Sequence, residues 1–201
     1  MSKANAIRNL FTSPLGIDEV AFLYLGYSGV IIRTYKHTLV VDPADLLNVE
    51  EIYEQGSIHL LLFTHSHGDH YSLRPTLGIF KATGVPIIAE SLVASDLMGK
   101  VPRDKLVAAT PGKTYTFGEI HVDVIQGIHR GPINLYRIGV DKIRIFHAGD
   151  SGYVPLRDYP ADLAFLPTGS PRFTQTLSSR RACAAGRRVA APWHRPRRDG
   201  A

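Results

Sequence analysis

The sequence predicts an α+β fold in which two β-sheets pack face to face with helices outside them, an αββα four-layer sandwich. Three observations predict it. Residues 19–65 and 114–149 form two blocks of short apolar runs bounded by Gly, Pro and Asp, the spacing of strands. Amphipathic segments of helical period accompany these blocks. The chain has 201 residues, 44% hydrophobic and 20% charged, a balance that excludes disordered and collagen-like classes and lets one core form without a disulfide or structural metal. Periodicity alone leaves other α/β and α+β sandwiches open, and the motifs at strand ends decide between them.

In chain order, EVAFLYLG (19–26), GVIIRTY (29–35) and TLVVD (38–42) read as a meander of three strands joined through residues 27–28 and 36–37. Residues 46–53 read as a short helix. IHLLLFTH (58–65) is continuously apolar until its end, as in a strand buried on both faces. A helix follows over 71–83, with Pro75 in its first turn and Gly84 as its stop. VPIIA (85–89) is a strand and 92–98 a short helix. TYTFG, EIHVDVIQG, INLYRIG and KIRIFHAG alternate with period two across 114–149, a second antiparallel set. DLAFLP (162–167), a weak helix near 175–185 and RVAAP (188–192) complete the series. The expected organisation is one domain over 1–201, with 172–201 an atypical Arg-rich C-terminal segment.

The formal charge of +5 suggests a nucleic-acid binder until the charges are located. Residues 172–201 hold eight Arg and one acidic residue, Asp199, which leaves 15 basic and 17 acidic side chains in residues 1–171. The body is slightly acidic, so a polyanion-binding role does not follow from total charge. The single Cys183 forms no intrachain disulfide, and the N-terminal residues show no apolar segment followed by a cleavage site. The most apolar stretch, 20–32, is broken by Gly26, Ser28 and Gly29 and is too short for a membrane helix. The expectation is a cytoplasmic protein that does not contact membranes.

Residues 64–70, Thr-His-Ser-His-Gly-Asp-His, place three imidazoles and a carboxylate within six positions where an apolar strand runs out. The i, i+2 spacing points His65 and His67 the same way, and Gly68 permits a bend that redirects Asp69 and His70 toward a neighbouring point. Two ions can be served. Imidazole and carboxylate suit Zn²⁺, with Mn²⁺ or Fe²⁺ as alternatives. In a chain of this composition a chance H-x-H-x-D-H arises about once in a thousand.

In this order and spacing, TLVVDP, FTHSHGDH and FHAGDSGY resemble the metallo-β-lactamase superfamily. The nearer likeness is to its small cytoplasmic metal-dependent hydrolases, the group related to L-ascorbate-6-phosphate lactonase, from about Val20 to His194. The resemblance implies a dinuclear site at one edge of the sandwich. His65, His67 and His129 would bind the first ion, Asp69, His70 and His194 the second, and Asp150 would bridge both. Asp42 and His147 would support the ligands from behind. Each has a plainer rival: His121 competes with His129 but sits in mid-strand, and Asp42 before Pro43 could simply form a turn. His37 and His59 are read as histidines without a role. The family pattern also has an acid-bearing helix before its last histidine, where this chain reads PRFTQTLSSRRACAAGRR; set against the resemblance, an atypical and truncated C-terminal part is the expectation, and His194 is the weakest match.

The implied chemistry is hydrolysis of an ester, lactone or phosphodiester bond in a small anionic metabolite by a metal-bridged hydroxide, with Asp69 as the catalytic proton carrier. Two alternatives accompany it: a nuclease acting on RNA or DNA that docks through the basic tail, and a non-catalytic metal-binding member with a defective second site.

Overall fold

The computed structural model describes residues 2–53 and 56–167. Its first sheet contains β1 (Ala21–Gly26), β2 (Gly29–Arg33), β3 (Thr38–Val41), β4 (Leu60–Phe63), β5 (Ile87–Ala89) and β6 (Leu106–Ala108), side by side in that order. The first three are antiparallel and the last four parallel. Parallel neighbours need crossovers, and the helical connections α2 (Val49–Tyr53), α3 (Leu73–Thr83) and α4 (Ser91–Leu97) supply them. The second sheet has the order β11-β10-β9-β8-β7, from β7 (Thr114–Phe117), β8 (Ile120–Gln126), β9 (Asn134–Val140), β10 (Ile143–His147) and β11 (Leu163–Phe165).

Alternation along each strand divides the apolar residues between two layers. Ile32, Leu39, Val41, Leu60 and Leu62 of the first sheet meet Val122, Val124, Tyr136, Ile138 and Ile145 of the second in the core between them. Ile31, Val40, Leu61, Phe63 and Ile87 point the other way, onto the helices. Both faces of β3 and β4 are therefore covered, which is why those strands read as continuous apolar runs. The outer side of the second sheet carries the smaller cluster of Ile125, Leu135, Phe146 and Ala148. The helix expected near 175–185 and the strand expected at 188–192 lie outside the described residues.

Several elements differ from the expectation. An N-terminal helix, α1 (Lys3–Thr12), has Ser2 as its cap, with the hydroxyl accepting from Asn5 N–H at 3.3 Å, and buries Ala6, Ile7 and Leu10. Its short apolar stripe gave no sequence signal, because packing on the sheet rather than propensity holds it. β6 was likewise unforeseen: three residues beside a parallel neighbour are too few to show a period. α2 begins at Val49 rather than 46 and β4 ends at Phe63 rather than 65, so His65 stands in a loop. In α3, Gly84 closes the helix at φ 63 and donates to Phe80 O at 2.7 Å.

The two sheets are tied together at both ends. Remote from the strand ends that carry the histidines, Asp141 and Lys142 turn β9 into β10 with φ 46 and 64, the left-handed pair of a two-residue hairpin. The Asp141 carboxylate accepts from the Thr34 hydroxyl at 2.7 Å and Lys36 N–H at 2.8 Å, and pairs with His37 Nδ1 at 3.0 Å. At the other end the Tyr136 hydroxyl donates to Phe63 O at 2.7 Å and Asn134 N–H to Thr64 O at 2.9 Å. That second tie lies directly beneath the histidine loop. No helix among the described residues is long and apolar enough to cross a membrane.

Candidate metal centre

The centre is assembled from segments that follow strands at one edge of the sandwich. Asp42 follows β3 at φ 46 and is fully buried. Its carboxylate accepts from Thr64 N–H at 2.7 Å and from the Thr64 hydroxyl at 2.5 Å, and it holds His70 Nδ1 at 2.8 Å. The Thr64 hydroxyl gives its one proton to Asp42, so it can only accept from His65 Nδ1, 3.1 Å away. Both histidines therefore carry a proton on Nδ1 and turn Nε2 toward the cluster, an assignment that follows from the hydrogen-bond network. Asp42 is more than a turn former: it orients one histidine directly and the other through Thr64.

The rings gather closely. The His65 centroid lies 4.7 Å from that of His67, 4.0 Å from His70 and 4.8 Å from His129. His67 and His129 are 4.9 Å apart. Ligand atoms of His65, His67 and His129 fall within 4.8 Å of one another, as do those of His65, His70 and Asp150. A cation with bonds of about 2.0–2.2 Å separates its ligand atoms by no more than roughly 4.4 Å, so small side-chain movements suffice for coordination. The first trio is the one expected from the sequence. The second brings His65 to His70 and Asp150, while Asp69 stands at its border, 3.9 Å from His70 Nε2 and half exposed.

Two buried side-chain atoms lack a hydrogen-bond partner among the described residues, His65 Nε2 and His70 Nε2. A buried imidazole nitrogen with no partner is costly, and both face the cluster where a cation would satisfy them. The residues present thus fit a divalent metal. His70 Nε2 lies 3.3 Å from Asp150 Oδ2, an ion-pair distance without hydrogen-bond alignment. Burial alone would push His70 down, but the Asp150 and Asp42 carboxylates override it and hold the ring up at about 10, so a metal bound at Nε2 would displace a proton from it. His70 in turn holds Asp150 down at about 2. Burial and the neighbouring His70 charge push His65 down to about 4. The cluster attracts positive charge on one side and keeps a neutral imidazole on the other.

Loop contacts fix the remaining donors. Ile128 N–H donates to Ser151 Oγ at 2.9 Å and Gly152 N–H to Ile128 O at 2.7 Å, pinning the His129 loop to the Asp150 loop. Gly149 has φ 52, and a Cβ there would stand 2.7 Å from Thr64 Oγ1; glycine lets this loop reach the histidine loop. His147 uses both nitrogens: Nε2 donates to Ser28 O at 3.0 Å, and Nδ1 accepts from Gly149 N–H at 3.2 Å. It braces the Asp150 loop and offers no lone pair to the cluster. His121 is exposed on the outer face of the second sheet, beside the Thr116 hydroxyl. His194 lies outside the described residues.

Thr64 and Ser28 were not anticipated. Thr64 precedes the first histidine and had a signal, a hydroxyl at the point where an apolar strand ends; Ser28 is distant in sequence and had none. A third group, His37, Glu119 and Asp141, also brings its ligand atoms within 4.8 Å, at the opposite end of the sandwich. There Asp141 is satisfied by Thr34, Lys36 and His37, and Glu119 lies 3.5 Å from Lys36 Nζ, so the group acts as a clamp between hairpins.

A histidine and carboxylate cluster on loops at the edge of two packed sheets defines the class, a metallohydrolase of metallo-β-lactamase fold. The chain belongs to the beta-lactamase superfamily, whose domain model matches residues 21–192. It is 28% identical over 167 residues to a UPF0173 metal-dependent hydrolase of Thermococcus onnurineus, covering 76% of this chain and 70% of that one. It is 30% identical over 169 residues to a UPF0173 metal-dependent hydrolase of Pyrococcus furiosus, covering 75% and 72%. A crystal structure from Parabacteroides distasonis shares the fold, with a TM-score of 0.61 at 22% identity over 77% of this chain and 72% of that one. Family, fold and ligand cluster agree, and the protein is a metal-dependent hydrolase.

Proposed function

We propose that the centre holds two divalent cations, Zn²⁺ in the first instance with Mn²⁺ or Fe²⁺ as alternatives, and hydrolyses an ester, lactone or phosphodiester bond in a small anionic metabolite. The observation that carries this reading is the pair of buried, unpartnered Nε2 atoms of His65 and His70 beside His129 and Asp150. When bound, the cations supply a water acidic enough to ionise near neutral pH and a Lewis acid for the developing oxyanion.

The protein's own groups do the rest. His65, His67 and His129 would hold one ion and His70 the other, with Asp69 beside it and His194 as its further ligand; Asp150 would be shared by the two. Asp42 and Thr64 fix the two buried rings, so they need no reorganisation when the charge of the substrate changes. Asp69 is half exposed at the border of the cluster, placed to take a proton from the attacking water and hand it to the leaving oxygen. His67 is exposed while His65 and His70 are buried, which leaves one open side for a substrate. The likeness to the ascorbate-phosphate lactonase group makes a phosphorylated lactone the first substrate to try. The site of action we propose is the cytoplasm. Nucleic acid is the second reading, favoured only by the eight Arg of residues 172–201.

Metal analysis of freshly purified protein, paired with a panel of lactones, esters and phosphodiesters, tests the reading. Up to two equivalents of metal and hydrolysis that both disappear in His67→Ala are expected. Full activity in metal-free protein refutes it. Salt-sensitive binding to RNA that is lost on deleting residues 172–201 would favour the nuclease instead.

A further inference from the structure

We infer that the tip of the first hairpin belongs to the metal centre, and that Ser28 is a positioning residue that sets which oxygen of Asp150 is offered to a cation. This rests on the reading of the site as a metal centre. The connection between β1 and β2 is two residues long, Tyr27 and Ser28. Tyr27 adopts φ 49, and the Tyr24 hydroxyl bonds to its carbonyl. A Cβ at Gly29 would stand 2.8 Å from Asp42 O, so the tip sits directly against the residue that orients His70.

Ser28 is tied at two points. Its hydroxyl donates to Asp150 Oδ1 at 3.2 Å, and its carbonyl accepts from His147 Nε2 at 3.0 Å. His147 in turn accepts from Gly149 N–H at 3.2 Å. A closed ring of contacts results, running from Ser28 to Asp150, back along the chain through Gly149 to His147, and returning to Ser28. The ring joins the two sheets across the site.

Its consequence for Asp150 is geometric. A carboxylate held at one oxygen has its plane and its second oxygen fixed. With Oδ1 on Ser28, Oδ2 faces His70 Nε2 at 3.3 Å, inside the His65, His70 and Asp150 group. Asp150 is 38% exposed, so packing alone does not fix it, and without the hydroxyl it would turn toward water. The His65, His67 and His129 trio contains no atom that Ser28 touches. Loss of an outer-sphere partner weakens metal binding about 10–100-fold. That loss should fall on whichever binding step engages Asp150.

The test is a Zn²⁺ titration of the full-length chain by calorimetry with a competing chelator, on wild type, Ser28→Ala and Ser28→Thr. The thermal midpoint of each metal-free protein serves as a check of folding. We expect Ser28→Ala to keep the metal-free midpoint and to weaken the Zn²⁺ binding that engages Asp150 about 10–100-fold, with Ser28→Thr, which keeps the hydroxyl, close to wild type. Unchanged binding in Ser28→Ala, or a Ser28→Thr as weak as the alanine variant, each overturns the inference. A wild type that takes up no Zn²⁺ overturns the metal-centre reading itself, a different and separable result.

Discussion

Replacing Asp42 tests how far the centre depends on a residue that touches no cation. The carboxylate is fully buried and serves three donors: Thr64 N–H, the Thr64 hydroxyl and His70 Nδ1. In Asp42→Ala all three lose their acceptor. A buried donor without a partner costs about 1–3 kcal/mol, and breaking a buried charged pair about 3–5 kcal/mol. A loss of about 3–5 kcal/mol in the metal-free protein is expected, since the three donors share one acceptor group and their costs do not add. For a domain of this size that lowers Tm by about 6–20 °C. Asp42→Asn is the more discriminating change. Its oxygen can keep the Thr64 N–H, but the NH₂ in place of Oδ2 then faces both the Thr64 hydroxyl and His70 Nδ1, which must become acceptors. The His70 proton moves to Nε2, where it blocks the lone pair. Asp42→Asn should therefore stay folded while binding at the His70 group weakens by about 10–100-fold. Circular dichroism melts of metal-free protein and Zn²⁺ titrations with a competing chelator measure the two effects. Wild-type affinity in Asp42→Asn, or an Asp42→Ala melt within about 2 °C of wild type, would refute the reasoning.

Tyr136→Phe deletes the hydroxyl that donates to Phe63 O across the two sheets, while that carbonyl keeps the Glu90 N–H at 3.1 Å. The urea midpoint should fall by an amount worth about 0.5–1.5 kcal/mol with an unchanged slope, and equal midpoints would show that the tie contributes nothing. Asp141 concerns the opposite end. Burial works to raise its pKa, but the Thr34, Lys36 and His37 donors override it and hold the carboxylate below its usual range. Such a group contributes stability that is complete above the unfolded carboxylate pKa of about 3.9 and is lost as pH falls through the lower folded value. Asp141→Asn should thus unfold more easily than wild type near pH 7 and lose less on acidification below about pH 4. Parallel acid limbs for the two proteins would contradict this.

How much could be read in advance depended on whether the signal was local. Thr-His-Ser-His-Gly-Asp-His is contiguous, so its convergence follows from backbone geometry, and the strand before it was legible because β4 is covered on both faces. His129 could be preferred over His121 from sequence because period two gave His121 an outward position, where it lies exposed beside Thr116. Three features were not local. Helix α1 is held by contacts of Ile7 and Leu10 with the sheet, and β6 by its pairing to β5; neither carries a pattern of its own. Ser28 meets Asp150 across 122 residues, a relation that only the packing of two sheets creates. The resemblance put His65 with the first ion and Asp69 with the second; the structure brings His65 near His67 and His129 and also near His70 and Asp150, with Asp69 3.9 Å from His70 Nε2.

Local and global preferences agree through most of this molecule, and they conflict at the metal centre. Four imidazoles are crowded with centroids 4.0–4.9 Å apart, and two of them bury nitrogens that find no hydrogen-bond partner among the described residues. Such a conflict marks a site kept for function at some loss of stability. The sign of that loss can be worked out for His65→Leu. The change removes an unmet Nε2, worth about 1–3 kcal/mol, and sacrifices the Nδ1 bond to Thr64, worth about 0.5–1.5 kcal/mol. Leucine fills a similar volume. The net runs from about −0.5 to +2.5 kcal/mol, so the metal-free variant should melt between about 2 °C below the wild-type temperature and about 10 °C above it, at 2–4 °C per kcal/mol. Saturating Zn²⁺ reverses the order, because a cation at 100 times its Kd stabilises wild type by about 2.7 kcal/mol and the variant has lost the ligand shared by both groups. A metal-free His65→Leu that melts well below wild type would mean that the cluster is stabilising without a cation, and the case built on its unpartnered nitrogens would fail.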